Sequence, residues 1–212
     1  MLAQVKPLFA VSYSRPHKAN VYLSAADSVF PDGHPRNRTN VTSLSVVAHD
    51  QIPTENALRA LYDWTPLREF LAKLVGYPRL YPYDDPLGSL NINITGDGQE
   101  LGWHFDNSDF ATTLLLQVPT HGGIFEYLPA ARSDNNPGYD KVNAVLDGDR
   151  TGIRTLSQDP GSLVLFRGRY ALHRVTATRG ERPRIIAILV YDTTPGVRLT
   201  EYNRNLLYGR VT

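Results

Sequence analysis

A chain of 212 residues is long enough for one domain without covalent staples, because folding at this size hides roughly 70% of the surface the unfolded chain exposes. The absence of cysteine excludes disulfides, thiolate zinc sites, iron–sulfur clusters and cysteine nucleophiles, so any metal has to be held by His, Asp or Glu. Lys and Arg total 22 against 21 Asp and Glu, a net charge of +1 with no basic run, and this leaves no electrostatic footprint for nucleic acid. No apolar stretch approaches the ~20 residues of a membrane span, and the N-terminus lacks a signal-peptide core. The expectation is a cytoplasmic protein acting on a small-molecule substrate, without nucleic-acid or membrane partners and with room for a homodimer.

In chain order, the first fifty residues are irregular. They contain a strand-like piece, Asn20-Val21-Tyr22-Leu23, and a Pro- and Asn-rich loop from Phe30 to Asn40. Between Pro53 and Val75 apolar residues recur at spacings of three and four (Leu58, Leu61, Tyr62, Leu67, Phe70, Leu71, Leu74), the pattern of an amphipathic helix. Thr54 suits its start, Pro66 divides it and Gly76 suits its end. From Leu87 the pattern turns to strands. Leu90 to Thr95 alternates strictly, with Gly96-Asp97-Gly98 as the following turn, and further strands are expected at Leu101–Phe105, Thr112–Val118, Gly123–Leu128, Ile153–Leu156, Ser162–Phe166, Leu172–Ala177 and Arg184–Tyr191. Asp134 to Asp149 shows little periodicity and reads as a long loop or lid. About eight short strands argue for a mainly β fold, a sandwich or jelly roll with N-terminal helices packed outside one sheet. The expected layout is a single domain over 1–212: a helical and irregular part at 1–86, a jelly-roll core at 87–192 and a C-terminal tail at 193–212.

The most informative segment is Gly102-Trp103-His104-Phe105-Asp106-Asn107. Residues two apart on a strand share a face, so His104 and Asp106 project together. One imidazole and one carboxylate supply two ligands of a 2-His-1-carboxylate facial triad, a set that suits Fe(II) and leaves coordination sites open. The third ligand has to come from another strand, and His173 in Tyr170-Ala171-Leu172-His173-Arg174-Val175 is well placed to be it. His17, His34, His49 and His121 read as ordinary surface or loop histidines. After His173 comes Gly180-Glu181-Arg182-Pro183-Arg184, opening an apolar strand. An arginine there could clamp a dicarboxylate. Neither a Gly-x-Ser-x-Gly context nor a Gly-rich phosphate loop is present.

These residues resemble a known family. Gly98 to Asp106 resembles the G-x-x-L-x-W-H-x-D segment of prolyl-hydroxylase-like Fe(II)/2-oxoglutarate oxygenases. Gly122 to Pro129 resembles their GG strand, and Pro160 to Phe166 followed by His173-Arg174-Val175 resembles their distal histidine motif. Within that superfamily, His34-Pro35-Arg36, Asp85-Pro86-Leu87-Gly88 and Trp103 through Gln117 are most similar to the branch of free-amino-acid radical halogenases and their hydroxylase relatives. The likeness covers roughly residues 20 to 210.

The resemblance implies a double-stranded β-helix and Fe(II), 2-oxoglutarate and O2 as cofactor and cosubstrates. In such a reaction the oxidative decarboxylation of 2-oxoglutarate to succinate drives oxidation of an unactivated C–H bond. Carried over by position, His104, Asp106 and His173 are the iron ligands and catalytic residues. Arg184 or Arg182 is the 2-oxoglutarate clamp, with Arg184 preferred because it begins the apolar strand, and Asn91, Asn93 and Thr95 complete that site. The branch's halogenases carry glycine or alanine where this chain has Asp106, so hydroxylation or desaturation is expected rather than halogenation. The expected substrate is small and polar, a free or carrier-borne amino acid, although Leu87 and Leu101 stand where lysine-binding relatives place an acid and an extra histidine. The branch's leading helix is not apparent, as in a short or truncated form.

Other residues carry paired readings. Trp103 and Phe105 read as core. Asn107 and Asp109 read as substrate-facing or loop-capping, Arg132 as a substrate-carboxylate anchor or a solvated charge, and Arg36 and Arg38 as part of a lid or plain surface. Tyr170 and Arg169 read as structural. The competing functions are a peptidyl or prolyl-type hydroxylase and a catalytically inactive jelly-roll metal-binding protein.

Overall fold

The computed structural model describes residues 1–14 and 16–212. Two antiparallel sheets face each other. The larger runs in the order β1 (Tyr13–Ser14), β4 (Ser45–Val47), β6 (Leu90–Thr95), β15 (Arg184–Leu189), β8 (Ala111–Gln117) and β12 (Leu163–Phe166). The smaller runs β11 (Arg154–Leu156), β10 (Phe125–Leu128), β13 (Leu172–Val175) and β7 (Leu101–His104). The hairpin of β2 (His17–Asn20) and β3 (Thr39–Thr42) lies alongside β7, and the short pairs β5 (Tyr81–Pro82) with β16 (Tyr191–Asp192) and β9 (His121–Gly122) with β14 (Thr178–Arg179) tie the ends together. This is the jelly roll expected from the alternating pattern.

The alternation of β6 sorts its side chains by chemistry. Leu90, Ile92 and Ile94 point out of the sandwich with Ile185, Ala187 and Leu189 of β15, and Leu58, Tyr62, Leu67 and Leu71 of α2 (Ala57–Asp63) and α3 (Thr65–Val75) cover them. Each fully buried aliphatic side chain here contributes roughly 1.5–3 kcal/mol. The polar alternates, Asn91, Asn93 and Thr95, face inward, where Asn91 and Asn93 line the central cavity beside Ile188 and Ile186.

The helical region divides as its sequence suggests, at Trp64, with Pro66 in the first turn of α3 and Gly76 in the left-handed conformation at its end. Its start differs. Asn56, not Thr54, caps α2 by accepting from the Leu58 backbone N–H at 3.0 Å. The strand expected at Asn20–Leu23 lies earlier, at His17–Asn20, because the chain turns at Leu23 with a positive φ of 50°. The chain begins with a short helix, α1 (Leu2–Val5), where no leading helix was apparent.

The largest correction concerns Asp134 to Asp149. This segment forms α4 (Tyr139–Leu146), whose Val142 and Val145 pack on Trp103, Phe105 and Leu172 behind the smaller sheet. It covers the face of the smaller sheet opposite His104 and His173 and is not a lid. Residues beyond 192 also form a helix, α5 (Glu201–Tyr208), bracketed by Thr200, which accepts from Asn203 N–H, and by a left-handed Gly209. No helix among the described residues is long and apolar enough to cross a membrane.

Asp85 fastens α5 to the body. Its carboxylate, fully buried, accepts from the backbone N–H groups of Leu87 (3.0 Å), Gly88 (2.8 Å) and Leu199 (3.0 Å), and from Arg204 Nε at 2.9 Å. Burial alone would raise its pKa, but these donors hold it below the ordinary carboxylate value. Stability from Asp85 is therefore present above the unfolded pKa near 4 and is lost as pH falls through the lower folded value. Replacing Asp85 with Ala strands Arg204 and three N–H groups. The expected cost is about 3–5 kcal/mol in urea denaturation at pH 7, and a smaller difference from wild type at acid pH.

Candidate metal centre

His104 and His173 are directly opposed in the β7–β13 ladder. Antiparallel pairing therefore aims both imidazoles at the same point inside the sandwich. Their ring centroids lie 4.1 Å apart. His104 Nδ1 bonds the Gly102 carbonyl at 2.9 Å and His173 Nδ1 bonds the Ala171 carbonyl at 2.9 Å. A carbonyl only accepts, so each Nδ1 carries the proton and each Nε2 presents a lone pair, the tautomer a metal requires.

Both Nε2 atoms are 3.6 Å from Asp106 Oδ1, and the three donor atoms all lie within 4.8 Å of one another. Burial and then the neighbouring His173 depress the pKa of His104. Burial would raise that of Asp106, yet the adjoining imidazoles, His173 foremost, hold it well below the usual carboxylate range. Asp106 Oδ2 is buried and has no hydrogen-bond partner among the described residues. Two oriented imidazoles and a carboxylate with an orphaned oxygen fit a divalent metal, and the donor set is that of a facial triad.

Opposite the triad, Arg184 is only 4% exposed and lines the cavity. Its guanidinium donates to Gln158 Oε1 at 3.2 Å, and no carboxylate among the described residues pairs with it. Burial brings its pKa down to about 10, which leaves it charged at neutral pH. Its cross-strand neighbour is Thr95, and Asn91 and Asn93 lie further along the same cavity face. Arg182 is different. It is exposed and donates to the Pro119 carbonyl at 3.3 Å, away from the cavity. Of the two arginines with the same strand parity, one is inside and one outside, because Pro183 is where the chain enters the sheet.

The other sequence candidates sort cleanly. Asn107 lines the cavity. Asp109 instead pairs with Arg169. Arg132 is not a solvated charge: it lies 4.2 Å over the Phe105 ring and donates to the Arg169 carbonyl and, at 3.4 Å, to the Asp106 carbonyl. Arg38 is tied to Asp147 at 2.7 Å and Asn143 at 3.2 Å on and after α4, and Arg36 is 3.8 Å from Asp27, so neither roofs the cavity.

Two contributors were missed by sequence reasoning. Gln158 follows β11 in a segment without periodicity. Gly168 touches the triad directly, because a Cβ at that position would fall 1.7 Å from Asp106 Oδ2. The Gly168 carbonyl also accepts from Asp106 N–H at 3.1 Å. Its only sequence signal is a glycine between two arginines shortly before His173. Gly168→Ala should push the carboxylate off its position and weaken metal binding about 10–100-fold. Metal titration followed by calorimetry, with the melting temperature of the metal-free protein as control, reads this directly.

Comparison with known proteins gives the same picture. The family model described as Halogenase D matches residues 27–203. Among solved structures, an oxidoreductase of the 2OG-Fe(II) oxygenase family from Burkholderia pseudomallei is 15% identical, with a TM-score of 0.56 over 92% of this chain and 80% of that one. AviO1 from Streptomyces viridochromogenes Tue57 is 14% identical, with a TM-score of 0.58 over 92% of this chain and 85% of that one. The non-haem α-ketoglutarate-dependent epimerase SnoN from nogalamycin biosynthesis is 16% identical, with a TM-score of 0.58 over 90% and 71%. No curated protein sequence matches the chain. The match to the family model spans most of the sequence, and the chain belongs to the Halogenase D family, within the Fe(II)/2-oxoglutarate oxygenase superfamily.

Proposed function

We propose that the chain is a 2-oxoglutarate-dependent dioxygenase that hydroxylates or desaturates an unactivated C–H bond of a small molecule, with His104, Asp106 and His173 holding Fe(II). The observation that carries this reading is the pairing of an oriented His/Asp/His set with a buried, uncompensated Arg184 across one cavity. Iron in that set supplies O2 activation coupled to the decarboxylation of 2-oxoglutarate. The protein's own part is positional. The two Nδ1–carbonyl bonds fix the imidazoles, Gly168 leaves room for the Asp106 carboxylate, and Arg184 receives the distal carboxylate of 2-oxoglutarate with Thr95 beside it. A buried guanidinium without an anion carries an electrostatic debt that a dicarboxylate cosubstrate removes on binding.

Succinate release from labelled 2-oxoglutarate, dependent on Fe(II), tests the reaction class. The clamp has its own test. Truncating one partner of a buried charge pair costs about 2–5 kcal/mol, and each 1.4 kcal/mol is tenfold in affinity. Arg184→Ala should therefore raise the dissociation constant for 2-oxoglutarate about thirtyfold or more, while exposed Arg182→Ala should leave it within about twofold. Equal effects from the two would move the clamp elsewhere.

Asp106 decides the outcome of the reaction. It occupies the position where, by the resemblance, radical halogenases carry glycine or alanine, so a third protein ligand stands where a halide would bind. We infer hydroxylation in spite of the family's name. Asp106→Gly should lose most product formation, and any halogenated product should be minor, because a halide also needs nearby donors to hold it. Mass spectrometry of products in chloride or bromide buffer checks this. A chlorinated product from the unaltered protein would overturn the assignment.

A further inference from the structure

The cavity, of about 190 Å³, has a second compartment that the iron and 2-oxoglutarate residues do not use. It begins at Leu44 and Val46, beside and on β4, which lies two strands from β15 and therefore roughly 10 Å from the Arg184 strand. Leu101 faces it from the opposite sheet, and Leu199, Leu207 and Tyr208 close its end from α5 and the segment leading into it. The same six side chains belong to one apolar cluster, in which Leu101, Leu199 and Leu207 are only partly buried and keep apolar surface free.

A β-bulge makes Leu101 part of this wall. His173 pairs with His104 but Val175 pairs with Leu101, so three residue steps on β7 match two on β13. The extra residue turns Leu101 to the Val175 side, into the cavity.

The charge inventory of the walls is short. Among the described residues, Asp106 and Arg184 are the formally charged side chains lining the cavity, with the imidazoles of His17, His104 and His173. His17 already has a partner within the protein. In the proposed function Asp106 is committed to iron and Arg184 to 2-oxoglutarate. The remaining polar lining, Asn91, Asn93, Tyr83, Asn107, Ser108 and Thr113 among it, is neutral.

We propose that this compartment binds the substrate, and that the substrate part entering it is uncharged and mainly apolar, not a zwitterionic amino acid. The proposal rests on the oxygenase reading for the commitment of Asp106 and Arg184. An ammonium or carboxylate carried inside would be desolvated with no uncommitted counter-charge among the described residues, a cost that neutral amides and hydroxyls do not repay. An aliphatic or aromatic group instead replaces water against six apolar side chains, with neutral hydrogen-bonding groups between it and the iron to orient it.

Calorimetric titration with matched probe pairs tests this: L-leucine against N-acetyl-L-leucine methylamide, and L-phenylalanine against its N-acetyl methylamide. The protein is loaded with Zn(II), which is redox-inert, and 2-oxoglutarate, and the titrations are repeated without either. A neutral probe should bind at least about thirtyfold more tightly than its zwitterion. Leu199→Gln and Leu207→Gln, both at partly buried positions, should each weaken that binding about tenfold and leave 2-oxoglutarate affinity unchanged. Equal or tighter binding of the free amino acids, no binding of either neutral probe, or indifference to both glutamine variants would each refute the proposal. Titration of 2-oxoglutarate itself reads the oxygenase assignment separately, so a failure there is distinguishable from a failure of the apolar compartment.

Discussion

A carboxylate oxygen removed from water needs a donor, and Asp106 has none for its Oδ2 among the described residues. Its Oδ1 sits 3.6 Å from each of two imidazole nitrogens, too far for a good hydrogen bond, and each of those nitrogens presents a lone pair because its ring partner donates to a backbone carbonyl. Three electron-rich atoms thus converge with no proton between them. A shared cation resolves this, whereas protein relaxation does not, because the strand ladder, the carbonyl bonds and the Gly168 contact fix all three side chains. Much of the smaller sheet can be understood as support for this convergence. Trp103 and Phe105, between and beside the ligands, point the other way into the layer that α4 completes, and Arg174 lies 4.8 Å over the Trp103 ring while pairing with Glu126 at 2.7 Å.

The larger sheet carries the opposite charge. Arg184 is buried on a strand whose alternate residues anchor the helical layer, so its inward direction is a consequence of Ile185, Ala187 and Leu189 pointing out. A one-residue slip of β15 would turn the apolar set into the cavity and the guanidinium into the apolar layer under α2 and α3, and this couples the proposed 2-oxoglutarate clamp to the register of the core. Arg182 shows what happens two residues earlier, before the ladder begins. The parity is the same, but no sheet holds it and the side chain lies on the surface.

Much of this was legible from local pattern. The alternation of Leu90 to Thr95 and the pair His104 and Asp106 state their own facing, and the three-four spacing before Gly76 states a helix. What was not legible depends on contacts between distant segments. Gly168 matters because β7 brings Asp106 against it, and no local rule marks a glycine in a loop as the neighbour of a carboxylate 62 positions earlier. Gln158 depends in the same way on where Arg184 arrives. The segment from Asp134 to Asp149 failed for another reason. Val142, Val145 and Leu146 do have helical spacing, but eight residues give too weak a period beside the surrounding Asn, Asp, Gly and Pro. Gly102 belongs with the legible signals only in hindsight: it lies where the β7–β13 register shifts, and without a Cβ it lets Asn40 and the Val41 carbonyl press against the strand, where Asn40 Nδ2 donates to the Trp103 carbonyl at 2.9 Å.

The far end of the chain joins the apolar wall of the cavity to a buried acid. An eight-residue helix is not stable by itself in water, so α5 exists because something holds it. Asp85 does so electrostatically through Arg204 and the Leu199 N–H, and Tyr208 does so by packing on Leu44, Val46 and Leu87. The motif Asp85-Pro86-Leu87-Gly88 thereby gains a physical role. Its carboxylate fixes the turn before β6, and its glycine admits Leu199 to a position where a Cβ would meet it at 2.5 Å. The cavity's apolar end is therefore built from two segments remote in sequence and joined by one buried acid. A change in Leu199 or Leu207 reshapes that end without touching a metal ligand or the arginine. On such a scaffold, substrate choice can vary through the C-terminal helix while the proposed iron and 2-oxoglutarate sites, held by the two sheets, stay as they are.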